Sequence, residues 1–190
     1  ATLQSGATEL PAIAATFFPD RIAGAGIPED DPRLEHAADL LALASRPVIV
    51  IGGNAWFHGS RDSLSDSIRQ LRIPAFTSGQ ARGIVADDGE FCFGYANPIF
   101  NSVFGEAAAA DAFLLVGAGG DHHFGSEQRR LIDPQARVIQ IHRDPRQIGV
   151  GKIPSVSPAA SHAATLHSLA RILRNKPASA RETWRKHICR

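Results

Sequence analysis

Hydrophobic residues fall along this chain in two kinds of run. The first is short and nearly unbroken: Val48–Ile51, Ile73–Phe76, Phe91–Phe93, Ala112–Val116 and Arg137–Ile141. Apolar runs of this length without alternation predict strands buried on both faces, the habit of parallel sheets covered by helices. The second kind recurs at helical spacing. Leu34, Ala37, Ala38, Leu41 and Ala44 share one face, as do Leu64, Ile68 and Leu71 in a helix over 61–71. Val103 and Phe104 mark a helix over 101–110, and Ala159, Leu166, Leu169, Ile172 and Leu173 mark one over 158–173. Asp31 and Pro32 open the first helix, as an N-cap and a first-turn proline, and Arg46-Pro47 ends it. Strands alternating with helices predict an α/β fold of three layers, a doubly wound and mostly parallel sheet with right-handed crossovers.

The periodic part occupies residues 33–175 and reads as one domain. Residues 1–32 are rich in Ala, Gly and Pro and lack periodicity, so they read as a linker or wrapping arm. Residues 176–190 read as a basic polar tail with a frayed end, Glu182 being its one acid. Two of the buried strands stop at glycines, in Ile51-Gly52-Gly53-Asn54 and in Val116-Gly117-Ala118-Gly119-Gly120. Glycine turns at the carboxyl ends of parallel strands bring backbone amides to one rim, where a nucleotide's phosphates or ribose can sit. The same glycines also serve tight strand-to-helix turns with no ligand, and spacing leaves both readings open. Neither stretch is a GxGxxG, and no acid follows Ile73–Phe76 to hold a ribose.

Composition narrows the class. Hydrophobic residues make up 44%, charged residues 21%, and the net charge is +1, an ordinary globular balance without the basic excess of a nucleic-acid binder. No apolar run approaches the roughly 18 residues needed to cross a membrane, and no secretory signal is visible. With Cys92 and Cys189 far apart, the chain is expected to be cytoplasmic, Cys92 being a buried thiol between two phenylalanines. Methionine is absent, even from position 1, which suggests a processed chain or part of a longer protein.

Other chemistry-bearing residues are weak signals. Asp121-His122-His123 has no third ligand at metal spacing, and adjacent histidines on a strand face opposite ways. His162 and His167 do not share a helix face. Arg82 suits either a phosphate clamp or a surface ion pair with Asp87 or Asp88. Asp87-Asp88-Gly89 reads as a turn feeding a strand rather than as a metal-diphosphate motif, which would need a leading glycine and a later Asn-Asn pair. No Ser-His-Asp, Cys-His or paired-carboxylate arrangement stands out, so no catalytic residue and no metal ligand is assigned.

The pieces taken together carry a resemblance. Arg46-Pro-Val-Ile-Val-Ile-Gly-Gly-Asn54 is followed by Ile73-Pro-Ala-Phe-Thr-Ser78, Ala81-Arg-Gly83 and Gly94. Then come Ala110-Asp-Ala-Phe-Leu-Leu-Val-Gly-Ala118, Ala136-Arg-Val-Ile-Gln-Ile141 and Asp144-Pro-Arg-Gln-Ile-Gly149. Over about residues 34–175 this order resembles the central domain of thiamine-diphosphate (TPP) enzymes of the acetolactate synthase type. The resemblance implies a six-stranded Rossmann-like sheet with the topology of DHS-like NAD/FAD-binding domains. It also implies flanking domains of the same chain that bind thiamine diphosphate and magnesium, and a homo-oligomer, dimer or tetramer, at full length. It implies a non-catalytic domain, inactive alone, whose cleft binds FAD, ADP or nothing in different members. By position its nucleotide rim would be Gly52, Gly53, Asn54, Thr77, Ser78, Gly94, Gly117, Ala118, Ile141 and His142. Gly119, His123 and His142 stand where FAD-binding members place two arginines and an acid. The alternatives are a free-standing Rossmann-like NAD-dependent oxidoreductase or deacylase, and a scaffold with a vestigial cleft.

Overall fold

The computed structural model describes residues 30–57, 61–118, 132–133, 135–149 and 161–190. The expected arm over 1–29 and the Asp121-His122-His123 cluster lie outside them. Helix α1 (Pro32–Leu43) leads into β1 (Pro47–Ile51), α2 (Arg61–Leu71), β2 (Ala75–Thr77), β3 (Cys92–Tyr95), α3 (Ser102–Ala107), β4 (Ala112–Val116), β5 (Arg137–Ile141), α4 (His162–Arg174) and α5 (Ser179–Ile188). Short 3-10 turns follow β1 at Gly53–Phe57, β2 at Gly79–Ala81 and β5 at Pro145–Gln147.

The five strands lie in the order β3-β2-β1-β4-β5, and every pairing is parallel. Each strand that the hydrophobic runs predict is present. The resemblance implies six strands; the sheet has five among the described residues. All residues of β1 and β4 are buried, because side chains alternate between two covered faces. Ile49, Ile51, Leu114, Val116, Ile139 and Ile141 pack against α1, α2 and α4 through Leu41, Ile68 and Leu169. Val48, Val50, Phe113, Leu115 and Val138 point the other way, onto Phe104 of α3 and onto Trp184 and Ile188 of α5. The three layers are therefore helix, sheet, helix, in a doubly wound Rossmann-like fold.

Helix starts follow the expected chemistry. The Asp31 carboxylate accepts the Arg33 amide at 2.8 Å with Pro32 in the first turn, and Asn101 accepts the Val103 amide at 3.1 Å. The helix over 101–110 is shorter than its sequence pattern, ending at Ala107. The frayed tail is a correction: residues 179–188 form α5, with Arg181, Trp184, Arg185 and Ile188 buried at helical spacing. Two of those four are arginines, whose aliphatic stems supply apolar surface that a polarity pattern does not register. Their heads bond at the edge where the strands begin. Arg185 donates to the Glu90 carbonyl at 3.1 Å and lies over the Phe91 ring at 4.9 Å. Glu182 pairs with Arg72 and Arg185, and Cys189 donates to the Gly89 carbonyl.

Candidate functional site

The glycine turns, the ends of β1, β2, β4 and β5, and the start of the loop after β5 meet at the carboxyl edge of the sheet. What fills the space there is the chain's own backbone. The Gly52 amide donates to the Val116 carbonyl at 2.9 Å, and the Ser78 amide donates to Ile51 at 2.8 Å. Asn54 donates to Gly117 at 3.2 Å, Ala55 to Gly52 at 3.0 Å, and Gly117 to Ile141 at 2.9 Å. A Cβ on Gly52 would lie 2.4 Å from both the Ala118 Cα and the Gly117 carbonyl oxygen. One on Gly117, whose φ is +59°, would lie 2.6 Å from the Ala55 nitrogen. Between β1 and β4, where the strand order reverses and an open α/β sheet offers its crevice, the two loops touch each other. Gly53 is covered from the next loop, since its Cβ would meet that of Gln80 at 3.2 Å. The Trp56 indole fastens the same pair of loops by donating to the Gln80 carbonyl at 2.5 Å.

The remaining sites predicted from sequence fall along the same edge with different roles. Thr77 is fully buried and its hydroxyl donates to the Gly94 carbonyl at 3.3 Å, which ties β2 to β3. Gly94 itself has φ +88°, a conformation that favours glycine. Ser78 is buried, and its hydroxyl has no partner among the described residues. Ile141 ends β5, and Ala118 accepts from the buried Gln140 amide at 3.1 Å. Gln140 also donates to the Gln147 carbonyl and accepts from the Gly149 amide, both at 2.9 Å. This one side chain joins the loops that follow β4 and β5. Nothing in local spacing marks it; a polar residue within an apolar strand run is the one available hint.

His142 is buried rather than presented to the rim. Its Nδ1 lies 2.9 Å from the Asp144 carbonyl and 3.1 Å from the Asp144 amide, and its ring meets that of the buried His162 edge-on at 5.9 Å. Burial pushes the His142 pKa below the ordinary imidazole value, against the opposing pull of the Asp144 carbonyl and carboxylate. It is therefore neutral at physiological pH. Its Nε2 has no hydrogen-bond partner among the described residues. The His142–His162 contact was not legible in the sequence, because the two residues come from separate elements.

The acidic turn and Arg82 resolve as local structure. Asp88 accepts from the amides of Glu90, Phe91 and Cys92 at 2.9 to 3.1 Å. Burial pushes its carboxyl up, and those amides outweigh it and hold the pKa below the usual range. Arg82 pairs with Asp87 at 2.9 Å. Cys92 is buried, with its thiol pushed up to about 12 by burial.

Along the described part of the rim the chain's own contacts take up the space. Five rim amides already donate to backbone carbonyls, the Gly52–Gly117 gap is closed, and His142 is a buried neutral imidazole. A cavity of about 590 Å³ lies at the other end of the strands, lined by Ser45, Arg46, Ser179, Thr183, Trp184 and His187. It is formed by α5 and the lead-in to β1, and holds none of the rim residues.

Comparison with known proteins gives a consistent picture. A family model described as "Thiamine pyrophosphate enzyme, central domain" matches residues 34–169. The acetolactate synthase large subunit of Porphyra purpurea is 26% identical over 142 residues, which cover 73% of this chain and 24% of that protein. The acetolactate synthase large subunit of Mycobacterium tuberculosis is 32% identical over 124 residues, 62% of this chain and 21% of that one. Among solved structures, the thiamine diphosphate-dependent 4-hydroxybenzoylformate decarboxylase of Rhodococcus jostii RHA1 matches the fold with a TM-score of 0.62 at 18% identity. That match covers 78% of this chain and 28% of the other. The chain thus spans about a quarter of the length of these relatives.

Proposed function

The chain belongs to the family of thiamine pyrophosphate enzyme central domains, and we propose that it serves as the non-catalytic middle of a longer thiamine-diphosphate-dependent carboligase or decarboxylase. The observation that carries this reading is a family match across 34–169 in which the glycine-turn residues Gly52 and Gly117 brace one another. In the whole protein, flanking domains of the same chain would hold thiamine diphosphate and Mg2+, and the protein would be a cytoplasmic homo-oligomer. The cofactor supplies an electron sink for bonds broken or made beside a carbonyl. This domain would fix the spacing and orientation of the parts that bind it. Gly52, Gly53, Asn54, Gly117 and Ala118 would keep the carboxyl edge closed, with Thr77, Gly94 and Ile141 tying neighbouring strands to it.

The test compares the 190-residue chain with its complete reading frame, by calorimetry with thiamine diphosphate and Mg2+ and by turnover of 2-oxo acids. The complete protein is expected to bind and turn over, and the 190-residue chain to do neither. Saturable thiamine diphosphate binding by the short chain would overturn the reading.

A second reading is supported by two buried polar atoms of the predicted rim that have no partner among the described residues, Ser78 Oγ and His142 Nε2. In this reading the edge keeps a nucleotide role, with Ser78 and His142 bonding the ribose or base of an ADP-like ligand rather than its phosphates. Titration with ADP, FAD and NAD separates the readings. No saturation at millimolar nucleotide favours the brace, whereas binding of ADP that Ser78→Ala weakens favours the cleft. NAD binding alone would instead support a free-standing oxidoreductase or deacylase.

A further inference from the structure

The cavity of about 590 Å³ at the amino edge lies apart from every rim residue, and its size is that of a small-molecule site. Two pieces of chain set its chemistry. Ser179 and Ala180, the first residues of α5, line it, and Thr183 lines it one turn later. The residue ahead of the helix is Ala178, which offers no side-chain oxygen, so the first-turn amides have no side-chain cap. A helix start of this kind draws anions, because its amides and its dipole both favour negative charge. The lead-in to β1 faces the helix with Ser45 and Arg46. Asp111 accepts the backbone amides of both at 2.8 Å and so fixes this segment. The Arg46 guanidinium has no ion pair among the described residues. A guanidinium, first-turn amides and three hydroxyls are the donors that the oxygens of a phosphate group accept.

An independent feature of the same cavity points to a ligand. Trp184 lines it and is 9% exposed, and its Nε1 has no hydrogen-bond partner among the described residues. A buried indole N–H ordinarily finds an acceptor. The indole also stacks on the His187 ring, 5.5 Å between centroids at 19°. Both rings line the cavity, with Ala180 beside them, and give it a flat aromatic wall next to its polar end. Glu106 pairs with His187 at 3.5 Å, so the imidazole rather than the carboxylate borders the cavity. We propose that this cavity binds a small phosphate monoester, the phosphate on Arg46 and the start of α5, the organic group against Trp184 and His187. The proposal does not rest on the reading of the chain as the middle of a longer protein.

Calorimetric titration with phenyl phosphate and with inorganic phosphate tests it, in the 190-residue chain and in the complete protein. Phenyl phosphate is expected to saturate the site at least about tenfold more tightly than inorganic phosphate, since only the ester meets the aromatic wall. Arg46→Gln should weaken phenyl phosphate at least about tenfold. Arg137→Gln removes the same charge from the start of β5, two strands away, and should change the affinity less than about twofold, because solvent screens exposed charges at that separation. The Arg46 side chain is exposed and unpaired, so its variant should keep the wild-type melting midpoint. In heteronuclear NMR spectra the indole N–H signal of Trp184 should move along the same saturation curve, while that of Trp56, bonded to the Gln80 carbonyl, stays in place. No saturation by phenyl phosphate, equal affinity for the two probes, equal losses in the two arginine variants, or a shift at Trp56 alone would overturn the proposal. Binding by the 190-residue chain that the complete protein lacks would mean that a neighbouring domain takes the cavity, and would overturn it as well.

Discussion

The two edges of this sheet are closed by different physics. At the carboxyl edge the loops approach so closely that side chains are excluded: Gly52 sits against Gly117 and Ala118, and Gly117 against Ala55. Amides there are spent on neighbouring carbonyls, and the polar side chains beneath, Ser78 and His142, are buried without full complements of partners. At the amino edge, side chains close the gaps. Asp111 accepts the amides of Ser45 and Arg46 at 2.8 Å each, and α5 lays Trp184, Arg185 and Ile188 across the strand starts. Steric contact is intolerant of added atoms and indifferent to charge. Charge and hydrogen bonding tolerate size changes and fail when one partner is removed. The edge that looks like a ligand site in the sequence is thus the one with least room, whereas the edge that reads as a tail carries the cavity.

The largest expected effects probe that contrast directly. Gly52→Ala would place its Cβ 2.4 Å from backbone atoms that no rotamer change can move. Overpacking of this severity should cost about 3 kcal/mol or more in denaturant unfolding. Gly79→Ala is the control: its φ is +51° but nothing lies within 4 Å of the added carbon, so only the backbone penalty of about 1 kcal/mol should appear. Equal costs at the two positions would mean that the loops separate easily, and the closed edge would have to be abandoned. At the other edge Trp184→Ala should cost about 3 kcal/mol, the usual scale for emptying a buried aromatic site, if α5 belongs to the core. A cost under about 0.5 kcal/mol would return residues 176–190 to the status of a tail.

Asp111→Ala comes next, at about 2 kcal/mol, because two backbone amides lose a charged acceptor at once. Asp111→Asn retains one acceptor oxygen and should recover part of the loss in the same denaturation assay. If Asn and Ala were equivalent, the carboxylate's charge rather than its geometry would be closing the amino edge.

The legible part of this fold was the part written in runs. Val48–Ile51 and Ala112–Val116 have one partner class on both faces, so continuous hydrophobicity was enough to mark them. The carboxyl edge was legible as a location but not as a structure. Glycine signals that two backbones come close, and a ligand's backbone-facing atoms demand the same absence of Cβ as a neighbouring loop does. At Gly52 a Cβ would meet the backbone of Gly117 and Ala118, a contact that no local pattern announces. Residues 179–188 were missed because Arg181 and Arg185 hold two of the four buried positions, and charge outweighed spacing in the reading. Gln140 and the His142–His162 contact join residues distant along the chain, which no local period reveals.

The smallest expected effect is a pH dependence confined to the carboxyl edge. Burial lowers the folded-state pKa of His142 below the ordinary 6.5. Around and just below that value the unfolded chain takes up a proton that the folded chain refuses, so unfolding binds protons and stability rises with pH. Above about pH 7 both states are neutral at this residue and its contribution is flat. The ring faces the Asp144 carbonyl and amide on its own loop and the His162 ring from α4. His162 is therefore the titratable neighbour that has to be controlled. Stability measured by urea unfolding should fall from pH 7 to pH 5.5 in the wild-type chain. His142→Asn, whose side-chain oxygen can still accept the Asp144 amide, should flatten that fall. Phe substituted for His162 in the same background would show whether any remaining slope belongs to the partner ring. A slope unchanged by His142→Asn would mean that the imidazole reaches water, and the carboxyl edge would then be open where its backbone contacts show it closed.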